Sequence, residues 1–197
     1  MAAITVSQPM RASLLLPLAA FALAGCETLG LTSGGTGEAP RNTSARADCP
    51  NVGSPTDTAD LVRFRTSDSR DLTDLVVAAR ITALDGSCRF VNRQTAVEVT
   101  LTMGLEVARG PAATGRSLSL PYFVAVATEG ERILDKAVYA IAAEFPANTQ
   151  RLRVRGEEIR LTLPVSETQR PAGYTVYVGF QLTEQELALN RSRVAAR

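Results

Sequence analysis

Residues 95–107 read TAVEVTLTMGLEV. Val97, Val99, Leu101, Met103, Leu105 and Val107 alternate with Glu98, Thr100, Thr102, Gly104 and Glu106. Successive side chains of a strand point to opposite faces, so a period of two gathers the apolar set on one side and the polar set on the other. A run this long is a half-buried strand. It must find a second apolar surface to pack against, which limits the chain to layered β architectures.

The same signal recurs along the chain. Leu75 to Ile81 reads as a strand, and Asp85-Gly86-Ser87 is expected to turn it into a short return through Cys88, Phe90 and Val91. Ser117 to Thr128 is another, in which Pro121 points to an edge or a bulge. After a turn at Glu129-Gly130-Glu131, the segment Arg132 to Phe145 places Tyr139, Ile141, Ala143 and Phe145 on one face. Leu152 and Val154 alternate with arginines, and Ile159, Leu161 and Leu163 follow a break at Gly156. Residues 172–182 place Tyr174, Val176, Val178, Phe180 and Leu182 on one side. No helix alternates with these strands. The expected fold is mostly β, an antiparallel β-sandwich of about seven strands spanning residues 49–197. Thr183 and Glu186 fit a capping box, which predicts a short C-terminal helix over residues 184–193.

The stretch Pro171-Ala172-Gly173-Tyr174-Thr175-Val176-Tyr177-Val178 resembles the late-strand region of immunoglobulin-like and fibronectin-type domains. The resemblance implies an immunoglobulin-like sandwich, in which a tyrosine near a strand start can form a tyrosine corner. The chain has no Trp, so the Cys-Trp-Cys pattern of antibody domains is absent.

Ahead of the sandwich, Arg11 precedes SLLLPLAAFALAG, residues 13–25, and then Cys26. A basic residue, a short apolar run and a small-residue end are the parts of a secretory signal. The run is too short to span a bilayer and Pro17 interrupts it. Leu23-Ala24-Gly25-Cys26 resembles the lipobox of bacterial lipoproteins. That resemblance implies cleavage before Cys26 and acylation of Cys26, and Glu27 behind it implies transfer to the outer membrane. The expected organisation is a signal peptide at 1–25, an acylated cysteine with a flexible tether at 26–48, and the folded domain. The tether is rich in Gly, Ser, Thr, Ala and Pro and cannot bury enough surface to offset its ordering entropy. Met10-Arg11 sits directly before the apolar run, so translation is expected to begin at Met10 rather than Met1. The plan as a whole resembles lipoproteins of Gram-negative, alphaproteobacterial envelopes that carry no assigned activity, so it implies a location and not a reaction.

With Cys26 used by lipid, Cys49 and Cys88 remain. An exported chain lies in a disulfide-permissive compartment, so the pair is expected to bridge and to staple the end of the tether to the first hairpin. Of the 21 basic residues only Arg11 precedes Cys26, leaving 20 basic and 20 acidic residues after it. A balanced chain offers no basic surface for nucleic acid. It also has no histidine, which excludes Ser-His-Asp and Cys-His catalysis and histidine-bearing zinc sites.

The remaining chemistry is thin. Gly110 to Ser117 nearly matches a phosphate-binding P-loop, but Arg116 replaces the lysine and a strand follows where a helix is needed; no nucleotide is expected. Asp68, Asp71 and Asp74 form a polar cluster without a calcium-loop spacing, and Glu157 and Glu158 stand at a turn. No catalytic residue, cofactor or metal is expected. Arg151, Arg153 and Arg155 share a strand face and form a basic stripe, the candidate contact for a partner. The expected role is a non-enzymatic structural or assembly module, held at the membrane by its lipid and binding another envelope protein. A glycan- or peptidoglycan-binding module using exposed Tyr122, Tyr139 or Tyr177 is the alternative, and a carboxylate-dependent hydrolase the third.

Overall fold

The computed structural model describes Ala3–Val6 and residues 49–195. Cys26, the tether and the rest of the leader, with Met1 and Met10, lie outside the described residues. Two sheets face each other. The first contains β1 (Ala3–Val6), β3 (Asp60–Phe64), β4 (Leu75–Val91), β5 (Ala96–Arg109), β8 (Arg151–Arg155) and β9 (Ile159–Pro164). Its order is β1-β9-β5-β4-β3, with β8 also paired to β5. The second contains β2 (Asn51–Gly53), β6 (Ser117–Thr128), β7 (Ile133–Glu144) and β10 (Tyr174–Phe180), in the order β2-β10-β6-β7. All pairings are antiparallel except β2 with β10. The helix α1 (Glu184–Ala195) ends the described chain. The fold is thus the expected mostly antiparallel sandwich.

The long alternation at 97–107 becomes β5, the spine of the first sheet. Its apolar side chains, with Leu161, Leu163, Val77 and Leu61, meet Leu120, Val124, Val176, Val178 and Phe180 from the second sheet in one buried core. β9 pairs with the first half of β5 and β8 with the second half, so Gly156 marks the break in a single interrupted line.

Three expectations are corrected. Asp85-Gly86-Ser87 does not turn: β4 runs unbroken through it and pairs with β5 as far as Val91–Ala96. The cause is a bulge, since Ile81 faces Leu105 while Ala83 faces Gly104, leaving Thr82 unpaired. A bulge flips the inward parity, so Val77, Ala79 and Ile81 point to the core before it, and Leu84 and Cys88 after it. Pro121 does not mark an edge strand, because β6 lies between β10 and β7. It sits one residue past the last β10 pair, Phe180–Tyr122, where its missing N–H breaks no bond to β10. Finally, nine strands lie between Asn51 and Phe180 rather than about seven, because β2 and β3 are short segments without clear alternation.

Cys49 and Cys88 are bridged, with Cα atoms 5.9 Å apart. Cys49 leads into β2 of the second sheet and Cys88 lies on β4 of the first, so the bond ties the two layers together. Tyr174 opens β10 and its hydroxyl donates to the Pro164 carbonyl at 2.7 Å, a bond of the tyrosine-corner kind. The capping box forms in both directions: the Glu186 N–H donates to Thr183 Oγ1 and the Thr183 N–H to Glu186 Oε2. The helix is held to the body by the buried Asn190, whose Nδ2 donates to the carbonyls of Asp57 and Asp60. An ion pair between Arg63 and Glu186 lies beside it.

Candidate functional site

The outer faces of the two sheets differ in chemistry. On the first sheet, Arg151, Arg153 and Arg155 are exposed and point away from the core, as their alternation with Leu152 and Val154 requires. Each lies close to a carboxylate: Arg151 and Arg153 at 3.9 Å from Glu106, and Arg155 at 3.5 Å from Asp85. Arg155 also donates to Thr102 Oγ1. The neighbouring Arg80–Asp60, Arg89–Glu98 and Arg160–Glu158 pairs continue the pattern. The basic stripe is one row in a solvated lattice of alternating charges, in which exposed pairs contribute little to stability. An open hollow of about 440 Å³ lies over this face, lined among others by Arg80, Glu106, Arg151 and Arg193.

The outer face of the second sheet exposes apolar residues along β7, while Ala125, Ala127 and Gly179 further in are buried, with Thr58 lying over Gly179. Val138 on β7 stands opposite Phe123 on β6, which stands opposite Gly179 on β10. One row along, Lys136, Ala125 and Tyr177 are aligned in the same way. Ala140 and Ala142 extend the surface and are exposed. Val138 is 54 % exposed, Leu134 41 % and Ile133 52 %, although each is a large apolar residue on an edge strand. The ammonium of Lys136, the chain's one lysine, lies 4.7 Å from the Phe123 ring centre. Exposed apolar residues grouped along a sheet edge form a candidate interaction surface.

This face escaped the reading of the sequence, but it left a signal there. In β6 and β7 the apolar residues occupy both parities: Phe123, Ala125 and Ala127 alternate with Tyr122, Val124 and Val126, and Val138, Ala140 and Ala142 with Tyr139, Ile141 and Ala143. Apolar residues on both parities mean a strand that buries two faces or exposes an apolar one.

The tyrosines do not form an exposed platform. Tyr122 is only 4 % exposed, points into the sandwich and stacks on Tyr139 with ring centres 5.5 Å apart. Burial, with the fields of Tyr139 and Glu157, pushes its phenol up to about 12. Tyr139 is half-buried and shifted upward, chiefly by burial. Tyr177 lies on the opposite, outer face. The expectation that Tyr122 is exposed is therefore corrected.

The acidic cluster is structural. Asp71 caps a short turn by accepting from the Thr73 N–H, and hydrogen bonds from Thr73 hold its carboxyl below the usual range. Asp74 pairs with Arg65 and accepts from Ser69. Glu158 pairs with Arg160, and Glu157 is exposed. Among the described residues no group of His, Cys, Asp or Glu side chains is arranged to hold a metal ion. The Gly110–Ser117 loop joins β5 to β6, and β6 follows it directly. Gly110 is needed there because a Cβ would lie 2.0 Å from the Leu75 carbonyl oxygen. Among the described residues no helix is long and apolar enough to cross a membrane.

No protein-family model matches the chain and no curated protein matches it. Among solved structures, the variable (V) domain of the AgI/II polypeptide BspA of Streptococcus agalactiae is similar over 67 % of this chain and 78 % of that one. The identity is 10 % and the TM-score 0.17, so the likeness carries no functional argument.

Proposed function

We propose that the chain is a non-catalytic module of the bacterial envelope, acylated on Cys26 at the outer membrane and facing the periplasm, which holds another envelope protein against the outer face of its second sheet. The observation that supports this reading is the apolar strip of Phe123, Ile133, Val138, Ala140 and Ala142 on the β6–β7 side of that sheet. Burying a residue such as Val138 in a partner releases apolar surface from water at about 25 cal/mol per Å². The small residues beside it let a partner backbone approach. The charged lattice of the first sheet gains less from docking, because its guanidinium groups already have carboxylates beside them and would have to be desolvated.

The test compares two variants in living cells after chemical crosslinking. Val138→Glu with Ala140→Glu places two charges on the apolar strip without touching the core. Replacing Arg151, Arg153 and Arg155 with Gln removes the basic stripe. The crosslinked partner should be lost in the first variant and kept in the second, with both chains folded and equally abundant. The opposite pattern would move the docking site to the first sheet.

A further inference from the structure

The free edges of the two sheets are not equivalent. The β3 edge has α1 beside it, fixed by Asn190 and Glu186. β2 is three residues long and lies next to the bridged Cys49. β8 presents three exposed arginines, the usual guard against unwanted pairing. β7 carries the charged Asp135, Lys136 and Glu144, whereas β9 has no comparable guard. Ile159, Leu161 and Leu163 point into the core, and Arg160, the one charged residue of the strand, is engaged by Glu158. In the full chain this edge is covered by β1, which pairs antiparallel with it over Ala3–Thr162, Ile4–Leu161, Thr5–Arg160 and Val6–Ile159.

We propose that in the processed chain the β9 edge accepts an extended segment of a partner protein by strand addition, in the place that Ala3–Val6 holds in the full chain. This rests on the reading that the residues before Cys26 are removed. The geometry of the β1 pairing describes the occupant. It is an antiparallel strand with β-branched residues in the register of Ile159, Arg160 and Leu161, as Val6, Thr5 and Ile4 are. Main-chain bonds along β9 supply affinity, and apolar residues at the two positions opposite Ile159 and Leu161 supply selectivity. In a chain that begins at Met1 this strand is held in cis on β9 and competes with any partner segment for the edge.

The experiment uses the processed chain and an unprocessed chain carrying Cys26→Ala, both in detergent, with their N-termini fixed first by mass spectrometry. The probe is a fluorescent peptide of residues 1–8, MAAITVSQ, followed by anisotropy. The processed chain should bind it at least about tenfold more tightly than the unprocessed one. A peptide with Ile4→Pro and Thr5→Pro should bind neither, because proline cannot donate to the ladder. Failure of the wild-type peptide to bind a chain that begins at Cys26 overturns strand addition while leaving processing intact. Equal binding of the proline peptide overturns it too. A processed chain that dimerises through β9 in sedimentation assigns the edge to a second copy instead. A mature chain that keeps Ala3–Val6 overturns the processing reading and the opening of the edge with it.

Discussion

Removing the Cys49–Cys88 bond separates the effect of the two layers' packing from the effect of their covalent tie. The bond closes a loop over a sequence separation of 39. In the chain-entropy picture a loop of that size costs the unfolded chain about 13 cal/mol/K, or about 4 kcal/mol at 25 °C. A folded domain of this size has an unfolding entropy of roughly 0.3 kcal/mol/K, so the loss corresponds to a fall in Tm of roughly 13 °C. The perturbation is Cys49→Ala with Cys88→Ala, in a Cys26→Ser background that leaves no thiol for exchange. Alanine avoids burying a hydroxyl beside the core that Cys88 packs against. Urea unfolding followed by tyrosine fluorescence gives the stability and the m-value together. The m-value should rise, since an uncrosslinked unfolded chain exposes more surface. Native far-ultraviolet circular dichroism should not change. A loss below about 1 kcal/mol, or a loss accompanied by altered native spectra, would refute the claim that the bond acts on the unfolded chain across two preformed sheets.

Three further outcomes follow from the geometry. Gly110→Ala should destabilise by at least about 3 kcal/mol, because its Cβ meets the Leu75 carbonyl, whereas Gly115→Ala, with nothing within 4 Å, should change stability by less than about 0.5 kcal/mol in the same denaturation assay. Asn190→Ala strands the carbonyls of Asp57 and Asp60 and should cost roughly 2–3 kcal/mol; hydrogen exchange should show α1 opening while β5 stays protected. Tyr122 should resist ionisation until about pH 12 in a spectrophotometric titration. Its folded pKa lies above the ordinary value of 10, so its contribution is complete below pH 10 and declines as pH rises from there toward 12. Release of all four phenols near pH 10 while the fold persists would contradict its burial.

What could be read in the sequence was what repeats over many residues or sits at a fixed offset. The alternation of Val97 to Val107 places β5 because one face is wet and the other packed. The Thr183–Glu186 spacing places the helix start, and the pair left after Cys26 gives the disulfide. What escaped was set by pairing rather than by pattern. The Thr82 bulge reverses which residues of β4 face inward, so a continuous strand imitates a turn at Asp85-Gly86-Ser87. β2 is recognisable only through its parallel pairing with β10. The apolar outer face needed β6 and β7 side by side, since neither strand alone shows whether its second apolar parity is covered or open. The basic stripe was visible as a row of arginines, but Glu106 and Asp85 come beside it only through the neighbouring strands.

Lys136 makes the central proposal directly measurable. It is the only lysine of the chain and stands on the apolar outer face against Phe123. If the mature chain begins at Cys26 with its amino group acylated, as the proposal takes it to be, Lys136 is the one amine on this chain for an amine-reactive crosslinker. Applied to intact cells, it should give one discrete crosslinked species to an envelope protein, which Lys136→Arg abolishes and which Val138→Glu weakens. Crosslinker modification of Lys136 with no joined protein, in cells where the chain is folded and lipid-anchored, would contradict a partner on the second sheet.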